Sequence, residues 1–155
     1  MTIKSTSLFL FGILLSFFSI AQDYPTDYLS ATFHADRRAA VKKQLSDKGV
    51  GIFFAGQTRQ RSNDTDFPYA QNKNFYYLTG LDEPNAVLLL FKQPVSLLGK
   101  TGTEFIFVQN RDPFKELWTG KILGIDGYRA KSKMENIFIN EDFKASTIPM
   151  ASIDS

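Results

Sequence analysis

Four carboxylates stand in turn-rich stretches of the chain: Asp64, Asp66, Asp82 and Glu83. Oxygen ligands of this kind suit hard cations. Their spacing does not follow the calcium-loop pattern, so solvated or capping roles are expected of them. His34 is the single histidine, and there is no cysteine. Disulfides, thiolate metal sites and cysteine nucleophiles are thereby excluded. A zinc site or a serine triad would have to be built around one imidazole. No nucleophile or orienting partner lies near His34 in the sequence, which points to a surface or structural role. Gly99-Lys100-Thr101 ends like a phosphate-binding loop, but Pro94 stands where that loop needs its first glycine. Asn63-Asp64-Thr65 matches the glycosylation sequon. Trp118, the only tryptophan, sits between Glu116 and Gly120. It fits a half-buried core aromatic, or an exposed apolar wall for a ligand or partner domain. From the residues alone, the chain is a binding or accessory domain.

The elements that must position these residues alternate between helix and strand. Phe33, Ala40, Val41 and Leu45 share one helical face, which predicts a helix over 33–48. Arg37, Arg38, Lys42, Lys43 and Lys48 fall mostly on a solvated face. Ser30 or Thr32 can cap its start, and Gly49 stands where a left-handed C-terminal residue is wanted. Buried strands are expected at Val50–Ala55 and Ala86–Phe91, with a returning strand at Phe105–Val108. Phe75–Thr79 is aromatic and β-prone, and Gly80 breaks it. The polar stretch 56–74 has no period and reads as a functional loop. Gln93–Thr103, with Pro94, Gly99 and Gly102, reads as a hairpin loop. A last short strand is expected at Ile137–Ile139 and a helix from Glu141 to Ala145. The fold class is therefore α/β, a mixed sheet of 50–55, 75–79, 86–91 and 105–108 flanked by helices.

Of 155 residues, 43% are hydrophobic and 22% charged, which is a globular composition and not a disordered one. The net charge of +2 gives no electrostatic case for nucleic acid or an acidic membrane. Leu8 to Ile20 carries no charge, Lys4 precedes it and Ser19-Ile20-Ala21 follows. This is the pattern of a cleavable signal peptide over 1–21, cut after Ala21, so the protein is expected to be exported and to meet a membrane only then. If uncut, the segment would anchor the chain.

From residue 33 to about 130 the chain resembles a known family. The resemblance is carried by Phe53-Phe54-Ala55-Gly56, Arg61-Ser62-Asn63-Asp64-Thr65-Asp66-Phe67-Pro68-Tyr69 and Gln71-Asn72. It continues through Phe75-Tyr76-Tyr77-Leu78-Thr79-Gly80, Glu83-Pro84-Asn85-Ala86, Arg111-Asp112 and Glu116-Leu117-Trp118-Thr119-Gly120. Together these are similar to the N-terminal domain of the aminopeptidase P family, the Xaa-Pro aminopeptidases. The resemblance implies an N-terminal arm at 22–32, the domain at 33–145 and a tail at 146–155. It also implies a peptidase that releases the residue before proline, using two manganese ions on Asp, His and Glu residues of a separate C-terminal domain. The matching residues here include none of that ligand set, so no metal and no activity are expected of this chain alone. The implied partner is that catalytic domain or subunit, with oligomer contacts. Trp118 is implied to border the substrate cleft. Asp64 is implied to lie near it, where an arginine of the catalytic domain can pair with it. A stand-alone interaction module and a prolidase or creatinase relative are the alternatives.

Overall fold

The computed structural model describes residues 29–146. The leader expected at 1–21, most of the 22–32 arm and most of the 146–155 tail lie outside the described residues. The elements are α1 (Ala31–Gln44), β1 (Val50–Phe54), β2 (Gln60–Ser62), β3 (Thr65–Asp66), α2 (Lys73–Thr79), β4 (Val87–Leu97), β5 (Lys100–Val108), α3 (Pro113–Thr119), α4 (Gly124–Ser132), β6 (Ile137–Ile139) and α5 (Glu141–Ala145). The main sheet has the order β1-β4-β5-β6. β1 and β5 pair antiparallel with β4, and β6 pairs parallel with β5, so the sheet is mixed as expected.

The apolar run of β4 is buried on both sides, which is why it shows no alternation. Leu88 and Leu90, with Ile106 and Val108 of β5, face a core that holds Phe75, Leu78, Leu81 and Tyr128. Val87, Leu89 and Phe91 point the other way, with Phe105 and Phe107. Phe138 and Phe143 close on Phe107 at ring-centroid distances of 5.6 and 5.2 Å.

Three sequence expectations are corrected. Phe75–Thr79 is not a strand but most of α2. The Asn72 side chain caps it by accepting from the Asn74 and Phe75 amides, and Gly80 ends it at φ 64°. The two caps outweigh the β preference of the aromatic run, and the sheet has no strand at 75–79. Next, Gln93–Thr103 is mostly strand. Leu98 and Gly99 turn tightly at φ 50° and 76°, the sign pattern of a type I′ turn. Pro94 falls where the β4–β5 register shifts, so its missing N–H interrupts no regular ladder. Last, α1 stops at Gln44 and Gly49 is not left-handed. Lys92 Nζ instead donates to the carbonyls of Lys43 and Leu45 at 3.1 and 3.0 Å.

The inward face of α1 is also not the one expected. Ala40 is exposed, whereas Arg38 is 2% exposed and His34 is buried. Arg38 donates to Glu104 Oε2 at 2.8 Å and to the Leu78 carbonyl at 2.9 Å. Lys42 reaches Glu104 Oε1 at 2.6 Å. An ion-pair cluster therefore ties the helix to β5, while Val41 and Leu45 add partial apolar burial. His34 Nδ1 lies 3.0 Å from the Tyr77 carbonyl oxygen. A Cβ at residue 80 would stand 2.6 Å from His34 Nε2. Gly80→Ala is thus expected to cost about 1–3 kcal/mol, from left-handed strain plus displacement of His34. A thermal melt that leaves Tm unchanged would contradict this packing.

Candidate functional site

α3 is a seven-residue helix with no buried residue. Pro113 opens it, and the Asp112 side chain accepts from the Phe114 and Lys115 amides at 3.0 and 3.3 Å. Glu116 fastens its base. It takes two bonds from Arg111, at 2.8 and 3.3 Å, and one from the Ile122 amide at 3.3 Å. The Arg111 bonds hold its carboxyl below the ordinary range. A helix tied down by its polar residues can then turn its apolar ones outward. Phe114, Leu117 and Trp118, on one face at i, i+3 and i+4, are 72%, 75% and 82% exposed. Trp118 is therefore not a core residue. Three large apolar side chains thus stand in water on one short helix.

Asp64 lies at the tip of the β2–β3 hairpin, after Asn63 at φ 47°. It is exposed and makes no hydrogen bond or ion pair among the described residues. The hairpin occupies part of the stretch expected to be irregular. A cleft of about 540 Å³ runs between this hairpin and the corner after α3. Asp66 and Tyr69 line one side, Thr119 and Lys121 the other, with Asp82 and Glu83 also in the wall. Asp64 and Trp118 thus stand on the two elements that flank the cleft, and neither side chain lines it.

Two residues build the cleft: Gln71, given no role in the sequence reading, and Glu83, expected there to be solvated or capping and found buried. Gln71 Oε1 accepts from the Gly56 and Asn72 amides at 2.6 and 2.8 Å. Its Nε2 donates to the Leu81 and Glu83 carbonyls, both at 2.9 Å. One side chain thereby joins the hairpin stem to the 81–85 turn. Glu83 is 5% exposed, and its Oε1 accepts from the Leu123 amide at 2.7 Å. Burial raises its carboxyl above the ordinary value. The Tyr69 hydroxyl is pushed up to about 12, by burial first and then by Asp82 and Glu83. The only signal in the sequence was that both residues fall within the quoted motifs.

The donor set does not fit a dinuclear metal site. Among the described residues no group of three or more His, Asp or Glu side chains is placed to hold an ion. His34, buried under Phe33 and Tyr76 rings at 5.3 and 6.4 Å, is structural. Among the same residues, no helix is long and apolar enough to cross a membrane.

The family model described as aminopeptidase P, N-terminal domain, matches residues 34–152. The chain belongs to this family. The domain is 32% identical over 114 residues to the Xaa-Pro aminopeptidase of Haemophilus influenzae, covering 74% of this chain and 25% of that protein. It is 33% identical over 127 residues to human Xaa-Pro aminopeptidase 3, covering 77% of this chain and 25% of that protein. Escherichia coli aminopeptidase P, solved with the inhibitor Pro-Leu, superposes with a TM-score of 0.65 at 29% identity, over 76% of this chain and 26% of that one. The chain therefore spans about a quarter of the length of these relatives.

The exposure of Trp118 has a spectroscopic consequence. Its fluorescence in the isolated domain should be red-shifted and open to acrylamide quenching. Trp118→Ala should cost under about 0.5 kcal/mol, as for an exposed side chain, and not the roughly 3–5 of a core aromatic. A blue-shifted, unquenched signal with a large stability loss would contradict the outward face of α3.

Proposed function

We propose that this chain is the non-catalytic N-terminal domain of an exported Xaa-Pro aminopeptidase. The observation that carries the proposal is the Phe114–Leu117–Trp118 stripe on a helix that buries none of its residues. In a chain similar to about a quarter of the length of Xaa-Pro aminopeptidases, such a stripe is suited to a second domain or subunit. The catalytic domain holds two manganese ions and cleaves the peptide. The domain described here limits access to that centre and contributes oligomer contacts. Trp118 supplies an apolar wall of the substrate cleft, and Asp64 pairs with an arginine of the catalytic domain. Export rests on the uncharged run Leu8–Ile20 followed by Ala21.

A chimaera tests this. Residues 34–145 replace the matching segment of the Escherichia coli enzyme, and cleavage of an Xaa-Pro peptide is measured. Activity that persists, and that vanishes when the segment is deleted, supports an access and assembly role. A folded, metal-loaded chimaera without proline-specific cleavage would overturn it.

A further inference from the structure

The β2–β3 hairpin sorts its charges between two faces. Gln60 and Asp66 are cross-strand partners, and Asp66 lines the cleft that Asp82 and Glu83 also wall. One residue further from the tip, the Phe67 amide donates to the Arg59 carbonyl at 2.8 Å. Successive side chains of a strand point to opposite faces, so Arg59 and Phe67 stand on the other side of the hairpin. There they line a second groove, of about 660 Å³, with Gln57, Pro68 and Asn72. Among the described residues no carboxylate lines this groove. Arg59 is exposed, and its guanidinium makes no hydrogen bond or ion pair among the described residues. The Arg61 guanidinium lies over the Phe67 ring, 6.0 Å from its centroid, and Phe67 is still 52% exposed. The base of the groove is fixed. The Gly56 amide is held by Gln71, and a Cβ at residue 56 would stand 2.6 Å from the Ala70 carbonyl oxygen.

We propose that this groove receives an acidic peptide segment, with Arg59 pairing its carboxylate while Phe67 and Pro68 pack on the apolar residue beside it. The choice of partner rests on charge complementarity: an accessible cation without a partner, in walls that hold no carboxylate. A guanidinium offers a carboxylate two parallel donors. Arginine beside an exposed aromatic ring is also the composition enriched where proteins meet. A nucleic-acid strand suits the groove less well. Its phosphates call for several cations in line, and here one guanidinium lines the groove with a second beside Phe67. The assignment concerns binding by this chain itself and does not depend on the presence of a catalytic domain.

The test is titration of the isotopically labelled chain, followed through the amide signals of Gln57, Phe67 and Asn72. The probe is N-acetyl-Glu-Phe-Glu amide. N-acetyl-Gln-Phe-Gln amide has the same shape without the charge, and a thymidine octanucleotide presents phosphates instead. The expected result is saturable shifts with the Glu peptide, at a Kd in the millimolar range, and binding of the Gln peptide at least about fivefold weaker. Arg59→Gln should weaken the Glu peptide by about five- to tenfold, and Phe67→Ala several-fold. Both side chains are exposed and their backbone bond survives either change, so the fold should hold. Lys43→Gln removes a charge from exposed α1 surface and should leave binding unchanged. The proposal is overturned by the absence of a saturable shift, by equal binding of the Gln peptide, or by tighter binding of the oligonucleotide. Full affinity in Arg59→Gln, or a loss in Lys43→Gln as large as in Arg59→Gln, would overturn it too.

Discussion

Arg38→Ala is expected to lower the unfolding free energy by about 3–5 kcal/mol, a large part of the total for a domain of this size. The Arg38 side chain is 3% exposed, and Glu104 opposite it is 21% exposed. Removing the guanidinium leaves Glu104 short of a partner and the Leu78 carbonyl without its donor. The cost is that of unpaired buried groups and not the worth of the contact itself. Arg38→Met with Glu104→Leu should therefore recover much of the loss. The acid limb carries the same signature. Burial alone would raise the Glu104 carboxyl, but Arg38 and Lys42 outweigh it and hold the value below 4.5. A carboxyl depressed in the folded state contributes stability above that ordinary value, and the contribution is lost as the pH falls through the folded value. Glu83, raised by burial, has the opposite sign. Denaturant titrations from neutral pH to below pH 4.5 should thus show a steeper acid loss in the wild-type chain than in the Arg38→Met, Glu104→Leu double variant. Equal acid limbs would exclude the cluster as the lock between α1 and β5.

Trp118→Ala should have the opposite profile: almost no effect on the domain alone and a large one in the assembled enzyme. In the chimaera its removal should lower kcat/KM by about 10- to 100-fold, the scale of a central aromatic contact. If the indole serves only to hold the peptide, KM rises and kcat stays. If it also excludes water from the reacting bond, kcat falls as well. Phe114→Ala and Leu117→Ala, on the same helix face, should weaken assembly without this kinetic signature. A Trp118→Ala chimaera with unchanged kcat/KM would remove Trp118 from the substrate wall.

What was legible in the sequence follows from range. The runs at 86–91 and 105–108 are apolar enough to be strands in any context, and both are buried. Ile137–Ile139 and Glu141–Ala145 are legible as well, because short apolar and acidic-start patterns act locally. Phe75–Thr79 is β-prone by its aromatic content and Gly80 ends it in either reading, but the Asn72 cap that starts a helix there is a local signal the aromatic run masks. The role of Arg38 was hidden for another reason. Its partner Glu104 lies 66 positions away, and no periodicity in a basic helix shows that one of its cations is buried. Trp118 fits a half-buried core aromatic or an exposed wall by sequence, and the polar fastening of α3 by Asp112 and Glu116 turns it outward. The cleft could not be read at all. Its walls come from the hairpin, the 81–85 turn and the corner after α3, joined by Gln71.

The central claim is that this chain serves a peptidase without being one. The most direct measurement follows cleavage of an Xaa-Pro peptide by the chain through successive purification steps, with and without added manganese. Cleavage per milligram should fall towards zero as purity rises, and manganese should not restore it. Constant cleavage per milligram through every step, stimulated by the metal, would contradict the claim.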